Sequence, residues 1–297
     1  MLECVANVSE GRDMDRLGVI ARACGPSLVD VHADRDHHRS VFTLAGPGSR
    51  DAVGAARLLA AAVAEQCSIV AHEGEHPRFG ALDVVPFVAL GGTRVEREQA
   101  GQHAREFARW WAEEFAVPVF LYDDADPEHR HLPSARASGF RHRAPDFGPG
   151  EPHPRLGATA VGARRPLVAV NCVLVSRDVS VARRIAREMR ESSGGLPAVR
   201  ALGFFLADGG RAQVSMNLVD LERTGVQDAC LHVRERAIAH GTDVAGVELV
   251  GLIPGWDLDR CTDDFLQWSR LDAESTIEVR VGKEPRWWPG DPLPEPA

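Results

Sequence analysis

Two stretches of this chain carry the same order of apolar periodicities, and that repeat limits the fold more than any other feature. In the first, Leu2 to Val8 reads as a strand, and Leu17, Ile20, Ala21 and Cys24 recur at helical spacing. Leu28 to Ala33 and Ser40 to Ala45 are short β-branched runs separated by a polar turn; Val53, Ala56, Ala60, Val63 and Cys67 then mark a second helix, and Asp83 to Leu90 a fourth strand. In the second stretch the order recurs: strand 167–175, a helix carrying Val181, Ile185 and Met189, strands 200–206 and 211–219, a helix carrying Val226, Cys230, Val233 and Ala237, and strand 244–253. Along 211–219, Ala212, Val214, Met216 and Leu218 alternate with Gln213, Ser215 and Asn217, the pattern of a half-buried strand. This β-α-β-β-α-β order is the ferredoxin-like unit, in which two helices cover one face of an antiparallel sheet. The fold expected is therefore α+β, two ferredoxin-like subdomains with antiparallel sheets. An added helix follows each: Arg94 to Phe115 in the first and Gly255 to Arg270 in the second. The boundaries expected are 1–164, 165–282 and a Pro-rich tail, 283–297, extended or mobile.

The chain has 297 residues, enough for two such units, and its 44% hydrophobic and 26% charged composition is that of a folded protein. No apolar run approaches the length of a membrane span, and the start carries Glu3 without a basic n-region or an apolar h-region, so a cytoplasmic location is expected and no membrane partner. The 34 basic and 43 acidic residues give a net charge of −9, which argues against a nucleic-acid surface. Six scattered cysteines, none in a C-x-x-C pair, read as buried free thiols. A homodimer is allowed by the sequence rather than required.

The two copies differ in one place. The second passes from helix to strand almost at once, whereas the first inserts residues 68–82 between Cys67 and Asp83. Folding does not need that excursion, and long loops in compact domains tend to carry function. It reads Ala71-His72-Glu73-Gly74-Glu75-His76-Pro77-Arg78-Phe79-Gly80-Ala81-Leu82-Asp83. His72 to His76 matches H-E-x-x-H, yet Gly74 weakens a helix and Pro77 drives His76 out of the α region, so a two-histidine zinc face is not expected. No metal is expected. The residues leave two readings open: a loop presenting His76 as a proton-handling group beside acids and an arginine, or a surface loop whose histidines only hydrogen-bond.

Glu75-His76-Pro77-Arg78-x-Gly80-Ala81-x-Asp83-Val84-x-Pro86-Phe87 resembles the signature loop of the glutamate formiminotransferases. Further blocks resemble the family in order: Glu3-Cys4-Val5-x-Asn7-x-Ser9-Glu10-Gly11, Val117 to Tyr122, Pro145 to Pro149, Gly157 to Arg164, Gln213 to Leu218 and Leu249 to Pro254. The likeness runs from residue 2 to about 270. It implies two ferredoxin-like subdomains and transfer of the formimino group of N-formimino-L-glutamate to N5 of tetrahydrofolate, a step of histidine degradation and one-carbon metabolism. Tetrahydrofolate would be a co-substrate, and both substrates are small molecules. By resemblance His76 is the catalytic histidine, and the loop from Gly148 to Gly157 is the folate segment, with Gly148, Pro149, Arg155, Leu156 and Gly157 as candidate contacts.

The chemistry assigns further residues. The donor's cationic amidine is expected to meet Glu75 or Asp83, while Arg78 or Arg39 pairs with substrate carboxylates through a bidentate fork. Three positions depart from the family. His32 stands where mammalian members carry an aspartate, so either Asp34 or Asp36 takes over, Asp36 being counted with the substrate-binding candidates, or the donor differs. Val173 replaces a second asparagine, and Val8 a phenylalanine. Alternative readings are a folate-dependent formyl or formimino transferase acting on another amine, and a folate-binding protein with decayed catalysis. A basic island, Arg130, Arg136, Arg141 and Arg143 with His129, His131 and His142, reads either as a solvated face or as an attractor of folate's polyanionic tail.

Overall fold

Alternation and capping signals produce the expected elements with few changes. The structure is a computed structural model and describes residues 1–35, 37–70, 72, 78–206 and 210–289. It divides into two compact units, Met1–Arg165 with Val281–Pro289, and Pro166–Arg280. Each has its own apolar core.

In the first unit the repeat becomes β1 (Leu2–Val8), α1 (Met14–Ala23), β2 (Leu28–Asp34), β3 (Arg39–Ala45), α2 (Ser49–Gln66) and β4 (Leu82–Ala89). These strands lie in the order β2-β3-β1-β4 with every neighbour antiparallel, as the ferredoxin-like unit requires. Beyond the repeat come α3 (Arg94–Phe115), β5 (Val119–Asp123), α4 (Leu132–Ser138) and β6 (Thr159–Arg164). Here the expectation of a purely antiparallel sheet is corrected. β6 pairs in parallel with both β4 and β5, so the sheet is mixed. Parallel strands need a long crossover, and α3 lies on the one from β4 to β5, between which β6 inserts.

The helix is set by its ends. Thr93 accepts from the Glu96 amide, Glu96 reaches back to the Thr93 amide, and Ala116 closes the other end in the left-handed region. On its inner face, buried Trp111 donates from Nε1 to Thr159 Oγ1 at 2.9 Å, and that hydroxyl donates to the Leu82 carbonyl at 2.7 Å. One chain of bonds thus ties α3 to the starts of β6 and β4.

The second unit keeps the plain form: β7 (Val168–Leu174), α5 (Val179–Met189), β8 (Val199–Leu206), β9 (Arg211–Leu218), α6 (Val226–Ala239) and β10 (Val244–Val250), ordered β10-β7-β9-β8 and antiparallel throughout. The single helix expected over 255–270 is two helices, α7 (Gly255–Leu258) and α8 (Asp263–Ser269). Thr262 breaks it: its side chain accepts from the Phe265 amide and so begins a new helix. Asp257 on α7 accepts from the Val226 amide at 3.1 Å and caps α6.

The tail contributes structure as well. β11 (Arg286–Pro289) runs parallel to β2, completing the seven-stranded order β11-β2-β3-β1-β4-β6-β5, and Arg286 Nε donates to Asp30 Oδ1 at 2.6 Å. Among the described residues no helix is long and apolar enough to cross a membrane. All six cysteines are free thiols; five are buried and Cys261 is half-buried.

Candidate functional site

The chemistry-bearing segments gather along one edge of the seven-stranded sheet. That edge holds the end of β1, the β2–β3 turn, the start of β4 and, because β6 and β5 run parallel to β4, the starts of those strands too. Asp36, Glu75 and His76 lie outside the described residues; Arg39, Arg78, Asp83 and the candidate folate segment lie within them.

Asp83 is the centre of the described part. Between Asn7 and Val8 the β1–β4 register shifts, so that one step on β1 spans Leu82 to Val84 on β4. Asp83 is the extra residue of that β-bulge, and a bulge re-aims a side chain. Its fully buried carboxylate accepts from three donors. Arg39 Nη1 reaches Oδ2 at 2.9 Å, Arg136 Nη2 bonds the same oxygen, and the Phe79 amide donates to Oδ1 at 2.6 Å. Arg39 is also held by Asn7, whose Oδ1 accepts from its Nε at 2.9 Å and its Nη2 at 2.6 Å. Burial, with the charges of Arg136 and Arg78, pulls Arg39 below an ordinary guanidinium, while Asp83 opposes the shift. Asp83, expected to meet an amidine, therefore has both oxygens engaged, and its visible work is to fix Arg39 and the backbone that leaves the His76 loop.

A second cluster adjoins it. The His38 and His72 rings stack with centroids 4.0 Å apart. His38 sits in the left-handed region at φ 48°, and its Nδ1 accepts from the Gly11 amide at 3.1 Å, which places the ring proton on Nε2 in the neutral form. Burial lowers the His38 pKa, with Arg12, Arg78 and Arg16 adding to the effect and Glu10 opposing it. Arg78 Nη1 lies 2.8 Å from His72 Nε2. The same nitrogen lies 3.0 Å from the His38 carbonyl; a guanidinium only donates and a carbonyl only accepts, so one tautomer of His72 accepts from Arg78 and the other donates to His38.

The folate candidates fall in two places. Arg155, Leu156 and Gly157 pack against the base of the His76 loop: the Ala81 amide donates to the Leu156 carbonyl at 2.9 Å, and the Ala158 amide to the Phe79 carbonyl at 3.1 Å. This approach requires glycine on both sides. A Cβ on Gly80 would lie 2.2 Å from the Leu156 oxygen, and one on Gly157, which has φ +71°, 2.4 Å from the Phe79 oxygen. The Arg155 guanidinium caps the C-terminus of α2, donating to the Cys67 carbonyl at 3.2 Å and to the Ala64 carbonyl. Gly148 and Pro149 are exposed and lie beside β5, where Phe147 pairs with Val119. The sequence thus signposted two segments that do meet, His76's loop and 155–157, and a third stretch two strands away.

Most of the basic island is neutralised within the unit. Arg130 pairs with Asp126 at 2.6 Å, Arg143 with Asp146, and His131 with Asp123 at 2.6 Å. Arg136 was in the island but not among the candidate site residues, and its bond to Asp83 spans 53 positions with no local signal. Asn7 and His38 were likewise unassigned. His32 is buried on β2 and Val173 on β7.

Comparison with known families matches residues 1–164 to the formiminotransferase domain, N-terminal subdomain, and residues 169–282 to the formiminotransferase domain. The chain is 36% identical to a glutamate formimidoyltransferase of Thermoplasma acidophilum, covering 95% of this chain and 98% of that one. It is 35% identical to a glutamate formimidoyltransferase of Streptococcus pyogenes, covering 93% and 97%. It is 38% identical to the formimidoyltransferase-cyclodeaminase of Mus musculus, where 86% of this chain spans 50% of the relative. With both halves matched in order and two of these relatives aligned over nearly their full length, the chain belongs to the formiminotransferase family.

Proposed function

We propose that the chain is a cytoplasmic enzyme that transfers the formimino group of N-formimino-L-glutamate to N5 of tetrahydrofolate, releasing L-glutamate. The observation that carries this reading is the alignment with two glutamate formimidoyltransferases over 98% and 97% of their lengths. In the reaction, folate N5 attacks the formimino carbon and a C–N bond forms. The N5 proton leaves to a base, the bond from that carbon to the glutamate nitrogen breaks, and the nitrogen takes up a proton. His76 fills both proton roles, since an imidazole near neutral pKa takes and returns a proton. Arg78 and Arg39 bind donor carboxylates, Glu75 and Asp36 face the amidine, and residues 148–157 contact folate. Asp83 acts by holding Arg39.

His32, buried at the family's aspartate position, favours a second reading in which the donor is a different formimino or formyl amine. A spectroscopic assay with tetrahydrofolate and N-formimino-L-glutamate tests the first. His76→Ala should lower kcat by about 100-fold or more while folate affinity stays within about threefold. Unchanged turnover in the variant would remove His76 from the chemistry. Turnover with other formimino donors but not with the glutamate compound would favour the second reading.

A further inference from the structure

We infer that Arg136, on α4, is a carboxylate-binding residue of the donor subsite, placed there by its shared seat on Asp83 beside Arg39. The inference rests on the formimino-transfer reading only for the ligand's name; the class it commits to is a small dicarboxylate.

The geometry carries it in three steps. Asp83 is fully buried, and its single negative charge faces two guanidiniums on one oxygen, Arg39 from β3 and Arg136 from α4. A purely structural pair needs one. Arg39 already balances Asp83 and is oriented on its other side by Asn7, so Arg136 adds a second positive charge to the same oxygen. Next, Arg136 Nε is buried and meets no acceptor among the described residues. A guanidinium is a planar fork whose donors suit both oxygens of a carboxylate, and an unanswered buried donor is costly in the ligand-free protein and repaid when a carboxylate arrives. Finally, the wall beside it is apolar. Val84, Tyr122, Ala135 and Ala160 form a small buried cluster, with Phe79 and Leu132 packed against it. Such surroundings strengthen a charge pair that water would otherwise weaken. Phe79, whose amide Asp83 holds, also links this corner to the strand that leaves the His76 loop.

A dicarboxylate with its second carboxylate on another arginine of this edge should therefore bind more tightly than the same skeleton with one carboxylate made an amide. Isothermal titration of the full chain with glutarate and with its monoamide tests this directly. Wild type should prefer glutarate by about 10- to 100-fold, the range of one charge-assisted hydrogen-bonded contact. Arg136→Gln should bring that preference to within about threefold, and Arg136→Lys, which keeps the charge over Asp83 and loses the fork, should fall between. A wild type without the preference would overturn the proposal. So would Arg136→Gln or Arg136→Lys variants that melt differently yet keep the wild-type preference, since that is a structural role alone. If Arg136→Gln does not fold, the wild-type preference and the Arg136→Lys value decide. Failure of the two readings is separable: glutarate binding that depends on Arg136 in a chain inactive toward every formimino donor sustains this proposal and sinks the reaction, whereas formimino transfer with an Arg136-independent preference does the reverse.

Discussion

Replacing Asp83 with asparagine removes one charge from the centre of the site and almost no volume. The side chain keeps an oxygen for the Phe79 amide, so no cavity opens, and what is lost is the counter-charge of Arg39 and Arg136. Those guanidiniums are 16% and 20% exposed, and the carboxylate is wholly buried. Breaking a buried pair by deleting one partner costs about 3–5 kcal/mol, because the other charge stays in place unpaired. Partial access of water to the arginines puts this case near the lower end, about 3 kcal/mol. For a unit of this size that is a fall in Tm of about 6–12 °C. Thermal melts followed by circular dichroism at low and moderate salt measure it. Adding Arg136→Gln to Asp83→Asn should cost at least about 1 kcal/mol less than Arg136→Gln does alone, since the unpaired repulsion is then relieved. An Asp83→Asn protein melting within a degree or two of wild type, or a double variant whose losses simply add, would show that the triad carries no such energy.

Two further outcomes follow from the same edge. Arg155→Gln should destabilise the first unit by about 1–2 kcal/mol, since it uncovers the last carbonyls of α2, and hydrogen exchange should speed up at the C-terminal turn of α2 and at Ile69, whose amide donates to the Arg155 carbonyl. Asp34 gives a pH signature. Burial would raise its pKa, yet the His37 hydrogen bond at 2.7 Å and the His37 charge outweigh that and hold it below the ordinary value of 3.8. A carboxyl whose folded pKa is depressed adds stability above the unfolded pKa and loses it as pH falls through the folded one. The stability gap between wild type and Asp34→Asn in urea titrations should therefore be largest near pH 5, where an ordinary imidazole is charged and the carboxylate still ionised, and shrink below about pH 4. A gap that widened further below about pH 4 would contradict the assignment.

The sequence was legible wherever structure follows from local pattern. Period-2 and period-3.6 runs marked both repeats, and the capping pair Thr93 and Glu96 fixed the start of α3 at the expected residue. Where pairing is remote, pattern had nothing to report. The run 159–164 carries no strand assignment in the sequence reading, because a short apolar run does not say which strand it will join, and β11 reads as tail because its partner β2 lies 256 positions away through Arg286 and Asp30. The break between α7 and α8 was readable in principle from Thr262, but the apolar spacing ran on across it. At the candidate site, the described end of the insertion between α2 and β4 meets Asp83 through the Phe79 amide and Leu156 through the Ala81 amide. Arg136 was visible only as one charge in a basic run, since nothing near it in sequence names Asp83 as its partner.

Transfer of the formimino carbon is the claim on which the account depends, and labelling that carbon follows it without inference. With N-formimino-L-glutamate carrying carbon-13 in the formimino group, tetrahydrofolate and the purified chain, the label should appear on folate N5 in step with the release of L-glutamate, and His76→Ala should slow both together. Label that stays on the glutamate nitrogen, or that leaves as free formamide or formate without passing to folate, would contradict it.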